Sequence, residues 1–203
     1  MHPNPAFRGT DTARSLAFAR ARGFGTLCVN GEATPLLAHV PFLLAEDGAT
    51  ADLHLVRSNP IARRADGPAT LAVVGPDGYA SPDWYGAEDQ VPTWNYVAVH
   101  LTGRLERLPA DTMRDLLDRE SAHFEAALPK PPWTADKMTP EVLERMMRAI
   151  APYRLHIETV QSTWKLGQNK PDAARHAAAA RIATGTGHEL TRLAALMRDP
   201  PAP

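Results

Sequence analysis

Apolar side chains recur in this chain at two different spacings, and the change from one to the other divides it. The stretch TDTARSLAFARARG begins with Thr10 or Asp11 as a cap and ends on Gly23, which predicts a first helix. Three apolar runs follow, predicting strands at about 24–29, 34–44 and 51–56. NGE at 30–32 and EDG at 46–48 separate them, and Asn-Gly and Asp-Gly supply the positive φ angles of tight hairpins. NPIARRA reads as a short helical connector, with Asn59 as cap and Pro60 at the first helical position. PATLAVVG predicts a fourth strand. WNYVAVHLTGRL, around 94–105, predicts a fifth, alternating at Val97, Val99 and Leu101.

The period then lengthens. PADTMRDLLDRESAHFEAAL sets Met113, Leu116, Leu117 and Phe124 at helical spacing. TPEVLERMMRAI follows as a second helix of this region, with Thr139 as cap, Pro140 first and Glu141 in the first turn. YRLHIETVQSTWKL alternates as a sixth strand. From Pro171 the chain is helical, DAARHAAAARIAT and HELTRLAALMRD, with a glycine break at 185–187. Hairpin-linked strands with grouped helices predict an α+β fold built on an antiparallel barrel or sheet. Strict βαβ alternation is absent, which argues against a dinucleotide-binding unit.

Composition narrows the class. A chain of 203 residues with 44% apolar content supports one sizeable core, or one domain with a helical appendage. A formal charge of −1 argues against a broadly basic, phosphate-gripping surface. No apolar run reaches membrane-spanning length, and residues 1–8 lack a signal-peptide pattern, so the cytoplasm is the expected location. A single cysteine, Cys28, excludes an internal disulfide framework and reads as a small buried core residue. Eight scattered histidines show no metal-ligand spacing, and neither a phosphate loop nor a G-x-S-x-G elbow is present. Of 22 basic residues only four are lysines, which singles out Lys165.

Three segments carry candidate chemistry. GPDGYASPDWYGAEDQVPTWNYVAVH, residues 75–100, concentrates Tyr79, Trp84, Tyr85, Trp94 and Tyr96 with stiff backbone and the polar groups Ser81, Thr93 and Asn95. Such a segment builds either a rigid core edge or dimer contact, or a slot for a flat ligand. LHLVRSNPIAR places His54 and Arg57 before a helix start at Asn59, where an anion finds free N–H groups and a guanidinium clamp; an ordinary cap with a solvated arginine is the alternative. STWKLGQNK sets Lys165, Gln168 and Asn169 behind a strand, either as a set that reads the edge of a heteroaromatic ring or as polar loop residues.

The runs HVPFLL, HLVRSNP, GPDGYASPDWY, VPTWNYVAVH and KLGQNK occur in an order that resembles the PaiB-type FMN-binding negative transcriptional regulators. That family is similar to the pyridoxamine-phosphate-oxidase-like split barrels. The resemblance implies a six-stranded antiparallel split β-barrel with flanking helices at 1–170, a helical C-terminal tail at 171–203, a homodimer, and FMN in a groove where subunits meet. It makes His54, Arg57 and Asn59 phosphate or ribityl candidates, with Arg57 the anchor of the phosphate, aided by the helix end and by Lys165. Thr93, Trp94 and Asn95, the loop around Ser81–Tyr85, and Lys165, Gln168 and Asn169 become further contacts, and His39 a weaker one. Gly167 stands where the family usually has serine, Lys170 where arginine is usual, and His2 where tyrosine is common. DNA as a partner rests on the resemblance alone, because no basic face or recognition helix is legible. Two other readings stay open: a flavin-dependent oxidoreductase, and a structural split-barrel dimer without cofactor.

Overall fold

A computed structural model describes residues 1–64 and 66–201. They form two compact units. One, the barrel unit, comprises Ala19–Ala72 and Leu101–Thr159; the other, the tail unit, comprises Met1–Phe18, Val73–His100 and the chain from Val160 onward.

Helix α1 (Thr12–Arg22) forms as expected and ends on Gly23, which takes φ +57°. In the barrel unit, β1 (Phe24–Val29), β2 (Leu36–Leu44) and β3 (Thr50–Val56) form the expected antiparallel meander. The strands β4 (Gly67–Ala80), β5 (Thr93–Arg107) and β6 (Ile150–Lys165) are much longer, and their far ends belong to the tail unit. The order β1-β2-β3-β6-β5-β4, with β4 returning to β1, closes an antiparallel six-stranded barrel. Its registers explain the core. Leu27 lies opposite Leu71, Phe42 opposite Leu53, Leu53 opposite Tyr153, and Ala51 opposite Leu155. Side chains alternate across a strand, so each of these pairs faces inward together, and all are buried.

The β5–β6 connection carries helices α2 (Met113–Glu125) and α3 (Pro140–Met147). Met113 and Leu116 are buried as their spacing predicts, but Phe124 is 38% exposed and Glu120 takes the next inward position. Thr139 sits at the cap position of α3 without a side-chain cap bond; its carbonyl accepts instead from Val142 and Leu143.

In the tail unit, α4 (Asp172–Ile182) and α5 (Leu190–Arg198) form a helical hairpin. The short strand β7 (Gly187–His188) between them pairs with β4 at Asp77 and Gly78. The fourth strand runs past its expected end at Gly75. GPDGYA, with its turn-like glycines and proline, continues strand β4 as far as Ala80. A Cβ at Gly78 would lie 2.8 Å from Leu193 Cδ2 and 2.9 Å from Leu190 Cδ2. The glycine marks close approach of the α5 side chains to the strand, not a turn.

Two smaller expectations also change. Gly48 takes φ +73° in the β2–β3 hairpin, but Gly31 stays outside the left-handed region. The β1–β2 connection runs from Asn30 to Pro35, too long for the two-residue turn that Asn-Gly favours. Cys28 is half-buried rather than core, in a groove with Val29 and Leu37, and burial pushes its thiol pKa up.

Candidate functional site

The candidate residues fall into two groups, one in each unit. In the barrel unit, His39 lies on the outer face of β2, its Nδ1 3.0 Å from Thr26 Oγ1 on the paired strand. His54 is turned to α2: its Nδ1 lies 3.1 Å from Glu120 Oε2, in contact but outside hydrogen-bond geometry. The second oxygen of this buried carboxylate, Oε1, has no hydrogen-bond partner. Asn59 caps as expected, its side chain accepting from Ile61 N at 2.9 Å. What it caps is a single 3₁₀ turn, Pro60–Arg63, so few aligned peptides contribute a dipole. Arg57 donates from Nε to Arg148 O at 2.8 Å, and its backbone N–H to Ala149 O. Its outer face borders a cleft of about 280 Å³ lined by Arg114, Arg148, Asp111 and Glu144, of mixed charge.

In the tail unit, the end of β6 and the turn after it are fastened by local bonds. Gln168 accepts from Leu166 N–H at 2.8 Å and donates to Trp164 O, so both ends of its carboxamide serve its own turn. Gly167 takes φ +79° there, a conformation glycine adopts without strain. Asn169 is exposed. Lys165 Nζ donates to Thr93 Oγ1, and Lys170 Nζ donates to Gln90 Oε1 while lying 4.5 Å from the centre of the Tyr85 ring. No carboxylate among the described residues pairs with either ammonium. Burial, and then the charge of Lys170, hold the Lys165 ammonium below its ordinary pKa range.

Strand alternation separates the neighbours in TWNY. Thr93 is half-buried beside Lys165, whereas Trp94 is 45% exposed and packs edge-on to Tyr79, which also meets Trp84. Asn95 is buried, its Nδ2 donating to Met197 Sδ of α5 at 3.4 Å. Ser81 starts the 3₁₀ turn Pro82–Tyr85 through its carbonyl, which accepts from Trp84 N–H; its side chain makes no cap bond. Tyr85 is buried with its hydroxyl unpartnered, and burial pushes the phenol pKa up against the opposing effect of Asn95. Gln90 joins this group unannounced by the sequence, together with Tyr85 from the expected Ser81–Tyr85 loop and Lys170, which stands where the resemblance implies arginine. The scarcity of lysine that singled out Lys165 applies equally to Lys170.

Residues 1–159 match the family described as "Putative FMN-binding domain". The chain belongs to this family. Its membership names FMN as the cofactor. The chain is 28% identical over 198 residues to the protease synthase and sporulation protein PAI 2 of Bacillus subtilis, covering 95% of this chain and 94% of the relative. Among solved structures it is similar to an FAD- and heme-binding protein of Mycobacterium smegmatis, with a TM-score of 0.57 and 20% identity, covering 89% of this chain and 81% of that one. The flavocytochrome Anf3 of Azotobacter vinelandii gives a TM-score of 0.53 at 13% identity, covering 81% and 72%. At these identities the two structures support the fold. The tail-unit donor set is chemically suited to FMN: ammonium and hydroxyl groups for a phosphate, and exposed indole for a flat ring.

Proposed function

We propose that this protein is a cytoplasmic FMN-binding homodimer with a regulatory or sensing role of the PaiB type. The observation that carries the reading is the match to the FMN-binding family across residues 1–159, joined to a tail unit that keeps two ammonium groups free of carboxylates. In this reading Lys165, Lys170 and Thr93 serve the anionic end of FMN, and Trp94 and Asn169 its ring or ribityl chain. FMN, when bound, supplies a redox-active ring and visible absorbance; the protein supplies binding and orientation. Dimerisation is supported by the outer face of the barrel, where Leu37 is 60% exposed at the Cys28 groove and Phe24 is 53% exposed at the other end of β1, with the Thr26–His39 pair between them. Exposed apolar side chains on a strand face favour burial against a second copy. The regulatory role rests on the motif resemblance and on the relative named for protease synthesis and sporulation. DNA enters only as the target such a regulator would act on.

The test is the absorbance spectrum of purified protein before and after FMN addition, with its mass in solution measured alongside. A flavin band retained through gel filtration, on a species of twice the chain mass, is expected. A colourless protein that takes up no FMN overturns the reading. Anaerobic mixing with NADH or NADPH separates sensor from oxidoreductase: the sensor leaves the flavin band unbleached.

A further inference from the structure

Two clefts in the barrel unit hold arginine together with acids. The Arg57 cleft contains Asp111 and Glu144, and the groove at Arg114 contains Asp118 and Asp136. A third cavity has a different lining. It lies wholly in the tail unit, between the N-terminal segment, the start of α1 and the chain at 160–162, and its volume is about 190 Å³. It is lined by Arg8, by the hydroxyl residues Thr10, Thr12, Ser15 and Ser162, by Gln161 and, among the described residues, by no carboxylate. Asp11, the acid nearest in sequence, is exposed, stands outside the lining and accepts from Ala13 N–H at 3.2 Å.

Ser15 is buried, with 1% of the residue exposed. Trp164 Nε1 donates to its Oγ at 3.4 Å. An indole N–H can only donate, so this bond uses a lone pair and leaves the hydroxyl proton to be given elsewhere. Among the described residues no acceptor takes it. A buried donor in this condition calls for a partner, and the cavity that Ser15 lines is where an acceptor finds room.

We infer that this cavity binds a small tetrahedral oxyanion, a phosphate or sulfate group. Hydroxyls and a carboxamide reach the space from two chain segments and suit a ligand that accepts on all sides. They would serve a neutral polyol equally well; a guanidinium in a lining without acids is what selects an anion. Thr12 opens α1, so the positive end of the helix dipole adds to the same preference. The site is separate from the FMN contacts proposed above, since none of Lys165, Lys170 or Thr93 lines it.

The test uses the full-length protein, labelled with ¹⁵N, titrated with inorganic phosphate and followed by amide chemical shifts. Wild type, Arg8→Gln, Arg8→Lys, Ser15→Ala and Lys165→Met are compared. Saturable shifts are expected at the amides of Thr10, Thr12, Ser15 and Ser162. Arg8 is exposed, so its replacement leaves the fold intact. Arg8→Gln is expected to weaken binding by at least about tenfold, the scale of one charged hydrogen bond, and Arg8→Lys by less. Ser15→Ala should weaken it about threefold, the scale of a neutral hydrogen bond, and Lys165→Met should leave it unchanged. Glycerol phosphate run alongside separates two sources of the group: tighter binding than inorganic phosphate marks an organic monoester, weaker binding a free anion, and both require Arg8. Absence of saturable shifts overturns the inference, as does an Arg8→Gln variant that binds like wild type. Shifts confined to the neighbourhood of Lys165 and Lys170, and lost in Lys165→Met, also overturn it while leaving the FMN reading in place.

Discussion

Asp52 offers a direct measure of how the barrel unit is held. Its side chain is 7% exposed and accepts from Arg154 Nε at 2.7 Å, Arg154 Nη2 at 3.0 Å and Arg119 Nη2 at 3.1 Å. Burial alone would raise its pKa; the two guanidinium groups outweigh burial and hold it below the ordinary carboxylate range. Asp52→Asn keeps shape and one acceptor but removes the charge. Charged hydrogen bonds contribute about 1.5–3 kcal/mol each. The two arginines are 37% and 46% exposed and rehydrate when released, so the net loss should be about 2 kcal/mol rather than the full sum. Urea unfolding at pH 7 should show this as a lower midpoint with an unchanged slope. The pH dependence supplies a second check. Because the folded pKa is depressed, the wild-type advantage is complete above the unfolded value of about 3.9 and shrinks as pH falls towards the folded value. A difference below about 0.5 kcal/mol at pH 7, or one that persists undiminished at pH 3, refutes the account.

Two further outcomes concern the tail unit. Gly167→Ser puts a side chain at φ +79°, where a Cβ meets nothing closer than 3.7 Å, so backbone strain alone should lower stability by about 1 kcal/mol, and a thermal melt that rises instead contradicts this. Arg175 is buried and donates to Met197 O, Arg198 O and Asp172 Oδ1, so Arg175→Met should raise amide exchange across α4 and α5 while β2 and β3 keep their protection. Equal protection in the two proteins would remove Arg175 as the clasp of the hairpin.

Much of the barrel was legible because it depends on period. Alternation at Val97, Val99 and Leu101 located β5, and the Asp-Gly at 47–48 located a hairpin, because both signals act over a few residues. The continuation of β4 through GPDGYA was hidden. Gly78 answers to Leu190 and Leu193 of α5, more than a hundred residues away, and Gly75 to Phe18 and Val97, and local pattern carries no trace of those contacts. The same distinction governs the polar candidates. Asn59 was legible as a cap since its partner is two residues on, whereas the His54 contact with Glu120 and the Arg57 bond to Arg148 join distant segments.

This distinction bears on how motif residues should be read as ligand contacts. A strand end leaves backbone groups that need partners, and polar side chains within a few residues are the nearest supply. HLVRSNP and KLGQNK both lie at such ends. Asn59 and Gln168 satisfy their own turns, Arg57 takes a carbonyl at the α3–β6 junction, and His54 faces a buried acid. Subtracting these bonds leaves the lysines of KLGQNK as motif cations with neither a carboxylate nor a backbone carbonyl to answer them. The case for an anion there therefore comes from what the fold has left uncompensated. A motif alone would have ranked Arg57 and Gln168 just as high.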